Sequence, residues 1–271
     1  AKNKGQYFTP KYIADFMVKL ASPCSCTYAL EPSCGEGVFI ESLLNHDVTK
    51  IDAYEIDHSI ESEWKFLMQF ESFITAECEN DYDLVIGNPP YVRWKNLPDQ
   101  TKEELLQSAL WNQHFNSMCD LFYFFILKSI ESLKDGGSLI FITPDYWFST
   151  THAQRLRDYM VLHGSFESIY RFKEVKIFDN VTSSIVIFKY VKSNNIDDIK
   201  IVDCTVNKVD EDWFNELGRK DSDQYTVKQF QRGKPWVIAE SSKVVSIEQT
   251  QSDKMSPLGE IATICNGMVS G

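Results

Sequence analysis

The chain has 271 residues, of which 43% are hydrophobic and 24% are charged, and its formal net charge is −12 at pH 7. This length and composition are typical of a globular protein with one sizeable core and room to begin a second. No apolar run approaches the ~20 residues that span a bilayer, and the seven scattered cysteines form no CxxC pair, which excludes a disulfide framework and a zinc site. We therefore expect a soluble, cytoplasmic protein. Because the chain is acidic, it is not expected to bind the phosphate backbone of a nucleic acid without help from another domain or subunit.

Helical and strand patterns alternate along the first 160 residues. The predicted elements are a helix over 11–20 with Thr9 as its N-cap, a strand over 28–32, a helix after a glycine turn at 35–37, strands over 50–57 and 83–86, a helix-rich region over 101–133 and a strand over 138–143. This order predicts an α/β fold with a mostly parallel, doubly wound sheet. Further on, residues 182–190 alternate and predict an antiparallel edge strand or a hairpin, and the polar stretch 192–200 predicts a loop.

The strand over 83–86 runs into a rigid turn, Gly87-Asn88-Pro89-Pro90-Tyr91. Two prolines fix φ and carry no N–H, so the amide oxygen of Asn88 and the carbonyl of Pro89 are held as hydrogen-bond acceptors. An exocyclic amine could donate to both, and Tyr91 offers a ring on which a planar base could stack, worth ~1–3 kcal/mol per base in single-strand binders. The turn predicts a site for a flat ring that carries an amine.

A second site is predicted at the glycine turn. Gly35 and Gly37 let the backbone approach a ligand at the start of a helix, and Glu55 follows about 20 residues later at the end of the next strand, where an acid commonly binds ribose hydroxyls. The pattern fits either a dinucleotide or S-adenosylmethionine. The third glycine of the dinucleotide fingerprint is absent, and the acidic Glu31 beside the turn suits a cationic sulfonium or amino group better than phosphates.

Four motifs together resemble those of the DNA adenine-N6 methyltransferases of bacterial restriction-modification systems. They are Gly5-Gln-Tyr-Phe-Thr-Pro10, Leu30-Glu-Pro-Ser-Cys-Gly-Glu-Gly37, Tyr54-Glu-Ile-Asp57 and Gly87-Asn-Pro-Pro-Tyr91. Because the Thr-Pro motif precedes the glycine turn, the order resembles the circular arrangement called the gamma class. The resemblance implies a Rossmann-like class I methyltransferase fold, S-adenosylmethionine as cofactor and double-stranded DNA as substrate, with the adenine flipped out of the duplex.

The resemblance also implies roles for individual residues. The implied cofactor-binding residues are Tyr7, Thr9, Glu31, Pro32, Cys34, Gly35, Glu55, Ile56, Phe73 and Asn88, and the implied catalytic residues are Asn88, Pro89, Pro90 and Tyr91. Tyr91 and Phe178 would cover the two faces of the target base, while Arg93, Lys95, Lys173 and Lys176 could contact the DNA backbone, and no metal is implied. One departure is visible, because Ser72 stands before Phe73 where the family often has an acid that contacts the adenine amine of the cofactor.

The expected domains are a catalytic domain over 1–195, an extension over 196–255 that completes it or links onward, and the start of a truncated target-recognition domain over 256–271. A target-recognition domain or a specificity subunit would then read the DNA sequence. Two other readings stay open: a protein-glutamine or RNA amino methyltransferase of the same fold, and the methyltransferase part of a fused restriction enzyme, with a nuclease elsewhere in the polypeptide or operon.

Overall fold

The structure, a computed structural model, describes residues 8–78, 81–173, 175, 177, 184–204, 209–216 and 222–238. Its helices are α1 (Lys11–Ala21), α2 (Val38–Leu44), α3 (Asp99–Gln107), α4 (Ala109–His114), α5 (Leu121–Ser132), α6 (Gln154–His163) and α7 (Glu211–Asn215). Its strands are β1 (Tyr28–Glu31), β2 (Lys50–Tyr54), β3 (Met68–Gln69), β4 (Tyr82–Gly87), β5 (Leu133–Pro144), β6 (Ser165–Arg171), β7 (Ile185–Val191), β8 (Asp198–Cys204) and β9 (Ser222–Lys228).

The nine strands form one mixed sheet in the order β3-β2-β1-β4-β5-β7-β6-β8-β9. From β3 to β5 all neighbours are parallel, whereas β7 is antiparallel to both β5 and β6. Parallel strands at the centre with crossover helices confirm the predicted α/β fold with a mostly parallel, doubly wound sheet. The order reverses between β1 and β4, and such a switch point opens a crevice beyond the carboxyl ends of the two strands, where α/β proteins bind ligands.

The core lies on both faces of the sheet. On one face, Ile13 and Phe16 of α1 pack with Phe39 and Ile40 of α2, and α7 joins the same buried cluster. Within β5 the residues of this face alternate with residues that point to the opposite face, on which α5 packs. The burial of both faces explains why the central part of β4 and the second half of β5 read as continuous hydrophobic runs in the sequence.

Several assignments differ in detail from the sequence-based prediction, and β5 begins at Leu133, five residues before the strand predicted over 138–143. The strand predicted over 50–57 ends at Tyr54, so the acids that follow it lie in the loop beyond the sheet. The stretch predicted over 182–190 contains β7, which pairs antiparallel with the preceding strand β6, as the hairpin alternative expects, and with β5, while the antiparallel edge is β9. The loop predicted over 192–200 is wrong for its last three residues, because the polar Asp198 and Lys200 alternate with buried isoleucines and begin β8.

The chain through Val237 forms one compact unit. The predicted boundary at residue 195 falls between β7 and β8, and both strands pair in the same sheet. The predicted segment 256–271 lies outside the described residues. In the part of the chain that is described, no helix combines the length and the apolar character needed to cross a bilayer.

Candidate active site

A cavity of about 240 Å³ opens at the switch point, where the chain leaves β1, β2 and β4. Ser33, just after β1, donates a hydrogen bond from Oγ to the carbonyl of Asn88, 3.1 Å away, and so ties the glycine turn to the turn after β4. The predicted site residues that line the cavity are Pro32, Gly35, Glu55, Ile56, Phe73, Asn88, Pro89 and Pro90. The two sites predicted separately from the sequence therefore share one cavity.

The two glycines of the turn serve different purposes. Both have positive φ, +53° at Gly35 and +88° at Gly37, a region that favours glycine. A Cβ on Gly35 would meet no atom within 4 Å, whereas a Cβ on Gly37 would lie 2.9 Å from Cδ1 of Trp64 and 3.0 Å from Cε of Met68. Gly35 thus leaves open space beside the cavity, and Gly37 allows the side chains of Trp64 and Met68 to pack on the turn.

Glu55 is buried and held by the backbone. One carboxylate oxygen accepts from the N–H of Gly35 at 2.9 Å, and the other accepts from the N–H of Asp57 at 2.7 Å. A carboxylate can accept about four hydrogen bonds, so two backbone donors fix its orientation and leave capacity for hydroxyl groups in the cavity.

Glu31 is only 1% exposed, and no described residue donates to its Oε2. Burial, and after it the negative charge of Glu55, raises the pKa of the Glu31 carboxyl well above its usual range, while the backbone N–H of Ile40 acts in the opposite direction. An unpaired buried carboxylate is costly. A cationic group placed beside the Glu31 carboxylate would remove that cost, so this carboxylate suits a positively charged ligand.

Cys34 lies in the core, and burial raises the pKa of its thiol. Its backbone N–H donates to the carbonyl of Tyr54 at 2.9 Å and so joins the glycine turn to the end of β2. Because its side chain packs among hydrophobic residues, a contact with a ligand in the cavity would have to come from its backbone.

The turn after β4 is anchored to the N-terminal segment. The Nδ2 of Asn88 donates to Oγ1 of the buried Thr9, at 3.1 Å, and this bond aims the amide group. The carbonyl of Pro90 accepts from the N–H of Val92, whereas none of the described residues donates to the carbonyl of Pro89. The backbone of the turn therefore presents one uncommitted acceptor where the sequence predicted it.

Tyr91 is half-buried and lies beside the residues that line the cavity. Its hydroxyl donates to the carbonyl of Ile142 in β5 at 2.6 Å, and its ring meets Phe122 edge-on, with ring centroids 5.8 Å apart. The sequence suggested a role for the ring alone; the structure adds that the hydroxyl fixes the orientation of the ring.

Lys128 of α5 is a supporting residue that the sequence reasoning missed. Its ammonium donates to the carbonyls of Phe73, Ile74 and Ala76 at 2.6, 3.0 and 2.7 Å, and it lies 4.8 Å from the centroid of the Phe73 ring. Burial lowers the pKa of Lys128. By these bonds Lys128 fixes the segment that follows β3. The only signal in the sequence was a single lysine within the otherwise apolar pattern of the helix.

Three of the four predicted DNA-contacting residues, Arg93, Lys95 and Lys173, lie within the described residues. Arg93 and Lys95 are exposed just after the turn at Asn88. Lys173 forms an ion pair with the buried Asp203, at 2.9 Å, and Arg171 approaches the same carboxylate at 3.4 Å. The predicted residues Tyr7, Lys176 and Phe178 lie outside the described residues.

The fold is similar to that of two solved structures. The chain superposes on a proposed class I S-adenosylmethionine-dependent methyltransferase from Listeria monocytogenes with a TM-score of 0.59 at 16% identity, over 78% of this chain and 69% of that one. It also superposes on the type IIG restriction endonuclease BpuSI with a TM-score of 0.60 at 15% identity, over 82% of this chain and 31% of that one. Identities this low show the fold alone.

Residues 27–178, more than half of the chain, match the family model of the Eco57I restriction-modification methylases, and the chain belongs to that family. It is 41% identical to the Type II methyltransferase M.HindII of Haemophilus influenzae, over 98% of this chain and 54% of the relative. It is 43% identical to the Type II methyltransferase M.HincII of Haemophilus influenzae, over 92% of this chain and 48% of the relative. The chain spans about half the length of these curated relatives, and its predicted resemblance to restriction-modification methyltransferases is confirmed.

Proposed function

We propose that this chain transfers the methyl group of S-adenosylmethionine to the N6 amine of an adenine flipped out of double-stranded DNA, as the modification activity of a restriction-modification system. The observation that carries the proposal is the shared cavity. It joins a cofactor-type end, at Gly35 and Glu55, to an amine-accepting end, at Asn88 and Pro89. A transfer reaction requires such a cavity, because donor and acceptor have to meet in one place.

The cavity fits S-adenosylmethionine in three respects. Glu55 is held by two backbone donors with capacity left for ribose hydroxyls, Ile56 and Phe73 offer apolar surface for a purine, and the buried Glu31 beside the turn matches a cation. When bound, this cofactor supplies a methyl group activated by the adjacent positive sulfur. The Glu31 carboxylate would stabilise that end of the ligand and exclude an anionic one, so a pyrophosphate is a poor match.

At the other end, the turn after β4 would hold the acceptor amine. The Asn88 amide oxygen and the Pro89 carbonyl would accept hydrogen bonds from its two N–H groups, which would draw the nitrogen lone pair out of conjugation with the ring and aim it at the methyl group. Tyr91, with its hydroxyl fixed on the carbonyl of Ile142, would place its ring against one face of the base. The residues act by positioning and electrostatics. Phe178 would cover the other face of the base.

DNA as the substrate rests on the family and on the relatives, which are named Type II methyltransferases. A duplex adenine cannot enter this cavity, so it must be flipped out, at a cost of a few kcal/mol. The net charge of −12 makes this chain a poor binder of phosphates by itself. We therefore infer that a target-recognition domain or a specificity subunit supplies most of the DNA affinity, and that Arg93 and Lys95 add local contacts.

The test separates cofactor binding from methyl transfer. Asn88→Ala should lower the rate of transfer to unmethylated duplex DNA by about 10²-fold or more, the usual effect of removing one group that stabilises the reacting centre. Its affinity for S-adenosylmethionine should change by less than about threefold. The matched control is Glu55→Ala, which should lose cofactor affinity first.

The rates are measured with labelled S-adenosylmethionine and the natural full-length polypeptide, and cofactor affinity by calorimetry. RNA and protein acceptors are assayed in parallel. Label that enters only RNA or protein would overturn the proposed substrate, and equal loss of binding and transfer in Asn88→Ala would overturn the role of Asn88.

A further inference from the structure

Ser72 is a polar residue of the cavity wall whose hydroxyl proton is already engaged. Its Oγ donates to Oε2 of Glu104 on α3, at 2.6 Å. The other oxygen of that carboxylate, Oε1, accepts from Nε2 of Gln100 at 3.2 Å, which holds Glu104 in place one turn along the same helix. Ser72 lines the cavity and Glu104 does not, so Glu104 contacts the Ser72 hydroxyl from outside the cavity lining.

This arrangement fixes the hydrogen-bonding character of Ser72. A serine hydroxyl has one proton and two lone pairs, whereas an ionised carboxylate has no proton to give. The hydroxyl of Ser72 is therefore the donor in its bond to Glu104, and no described residue donates a hydrogen bond to the Oγ of Ser72. Toward the cavity, Ser72 presents lone pairs only, and it acts as an acceptor with no donor ability.

The position of Ser72 along the cavity identifies its partner. In the proposed function the ribose lies at Glu55 and the purine lies against Ile56 and Phe73, and all three residues line the cavity. Phe73 is buried and tilted against Phe125, with centroids 5.2 Å apart, and it offers a ring face to the purine. Ser72 precedes Phe73 in the chain and lines the same cavity, so the edge of a purine placed against Phe73 would come within reach of Ser72.

We propose that Ser72, oriented by Glu104, accepts a hydrogen bond from the exocyclic amine of the cofactor's adenine and selects a 6-amino purine over a 6-oxo purine. A 6-oxo group would set its own lone pairs against those of Ser72. Glu104 is a positioning residue that acts through Ser72. The pair takes the place of the acid that the sequence resemblance leads one to expect before Phe73, and this inference rests on the proposed function.

Glu71 is the alternative source of an acid, because it also lines the cavity and is exposed. The two accounts differ in which substitution changes purine selectivity. If Glu71 receives the amine, selectivity depends on Glu71 and is indifferent to Glu104. If the Ser72–Glu104 pair receives it, the reverse holds.

The experiment measures the affinities of S-adenosylhomocysteine and its 6-oxo analogue for the wild type and for three variants, by calorimetry. We expect the wild type to prefer the 6-amino ligand by about tenfold, the scale of one hydrogen bond. Ser72→Ala and Glu104→Gln should each reduce that ratio several-fold. Glu71→Gln, the matched control, should leave the ratio within about twofold of the wild type.

A rescue variant separates selectivity from general damage. The double substitution Ser72→Asp with Glu104→Gln puts an acceptor directly at the purine edge and should restore the preference for the amine. A general loss of structure lowers both affinities and leaves their ratio unchanged. Unchanged ratios in folded Ser72→Ala and Glu104→Gln overturn the inference, as does a ratio lost in Glu71→Gln. If the wild type binds neither ligand, the proposed function itself fails.

Discussion

At the scale of a single residue, Glu31 links the stability of the fold to pH and, in the proposed function, to the binding of the cofactor. The pKa of this buried carboxyl is raised well above the ordinary value of 4.5. The folded protein therefore holds the Glu31 proton more tightly than the unfolded chain does. The resulting stability is fully present below the unfolded-state pKa and is lost as the pH rises toward the raised folded-state pKa. Above that window, the unpaired charge destabilises the protein until a cation binds beside it.

This coupling predicts opposite effects of Glu31→Gln on the free and the cofactor-bound protein. The variant removes the cost of a buried charge, so at pH 8 the free protein should melt higher than the wild type, by about 2–4 °C for each kcal/mol regained. The difference should vanish as the pH falls toward 4.5. The variant should also bind S-adenosylmethionine more weakly, because a glutamine does not stabilise a cation.

Thermal melts over this pH range, with and without cofactor, measure both effects. A variant that melts lower than the wild type at pH 8, or that binds the cofactor equally well, would contradict the assigned role of Glu31.

At the scale of an element, the two glycines of the turn between β1 and α2 have different roles, Gly37 in packing and Gly35 in leaving space beside the cavity. Gly37→Ala combines a positive φ with a Cβ 2.9 Å from Trp64, and it should lower the free energy of unfolding by about 1–3 kcal/mol. Gly35→Ala also has a positive φ, but the added methyl group meets no atom within 4 Å. It should therefore cost less stability, about 1 kcal/mol, and lose more cofactor affinity because the methyl group occupies space beside the cavity.

Chemical denaturation and calorimetry on the two variants test this division, and each variant is the control of the other. The expected result is that Gly37→Ala is the less stable protein and Gly35→Ala the weaker binder among folded molecules. Equal losses in both measurements would mean that the turn is uniformly structural.

At the scale of the whole molecule, the sequence predicted what is local and missed what is brought together by folding. The glycine turn, the turn at Asn88 and the buried strands were visible because each is encoded by neighbouring residues. The bonds from Lys128 to Phe73 and from Ser72 to Glu104 join segments that are 55 and 32 residues apart. No periodicity links such residues, so their contacts emerge only when α3 and α5 pack against the segment that follows β3.

The charge of the whole molecule bears on how it meets DNA. The chain carries 39 acidic and 27 basic residues, and Lys173, a predicted DNA contact, is engaged with Asp203. Affinity for a duplex depends on cations that displace counterions from phosphates. The chain also spans only about half the length of its curated relatives. In the proposed function, this chain carries out the methyl transfer and another domain or subunit supplies most of the DNA affinity.

The most direct measurement of the central claim is nucleoside mass spectrometry of unmethylated duplex DNA after incubation with S-adenosylmethionine and the natural full-length polypeptide, with Asn88→Ala as the control. The account predicts N6-methyladenine with the wild type and none above background with the variant. A different methylated nucleoside, or unmodified DNA while RNA or protein becomes methylated, would contradict the assignment of adenine as the acceptor.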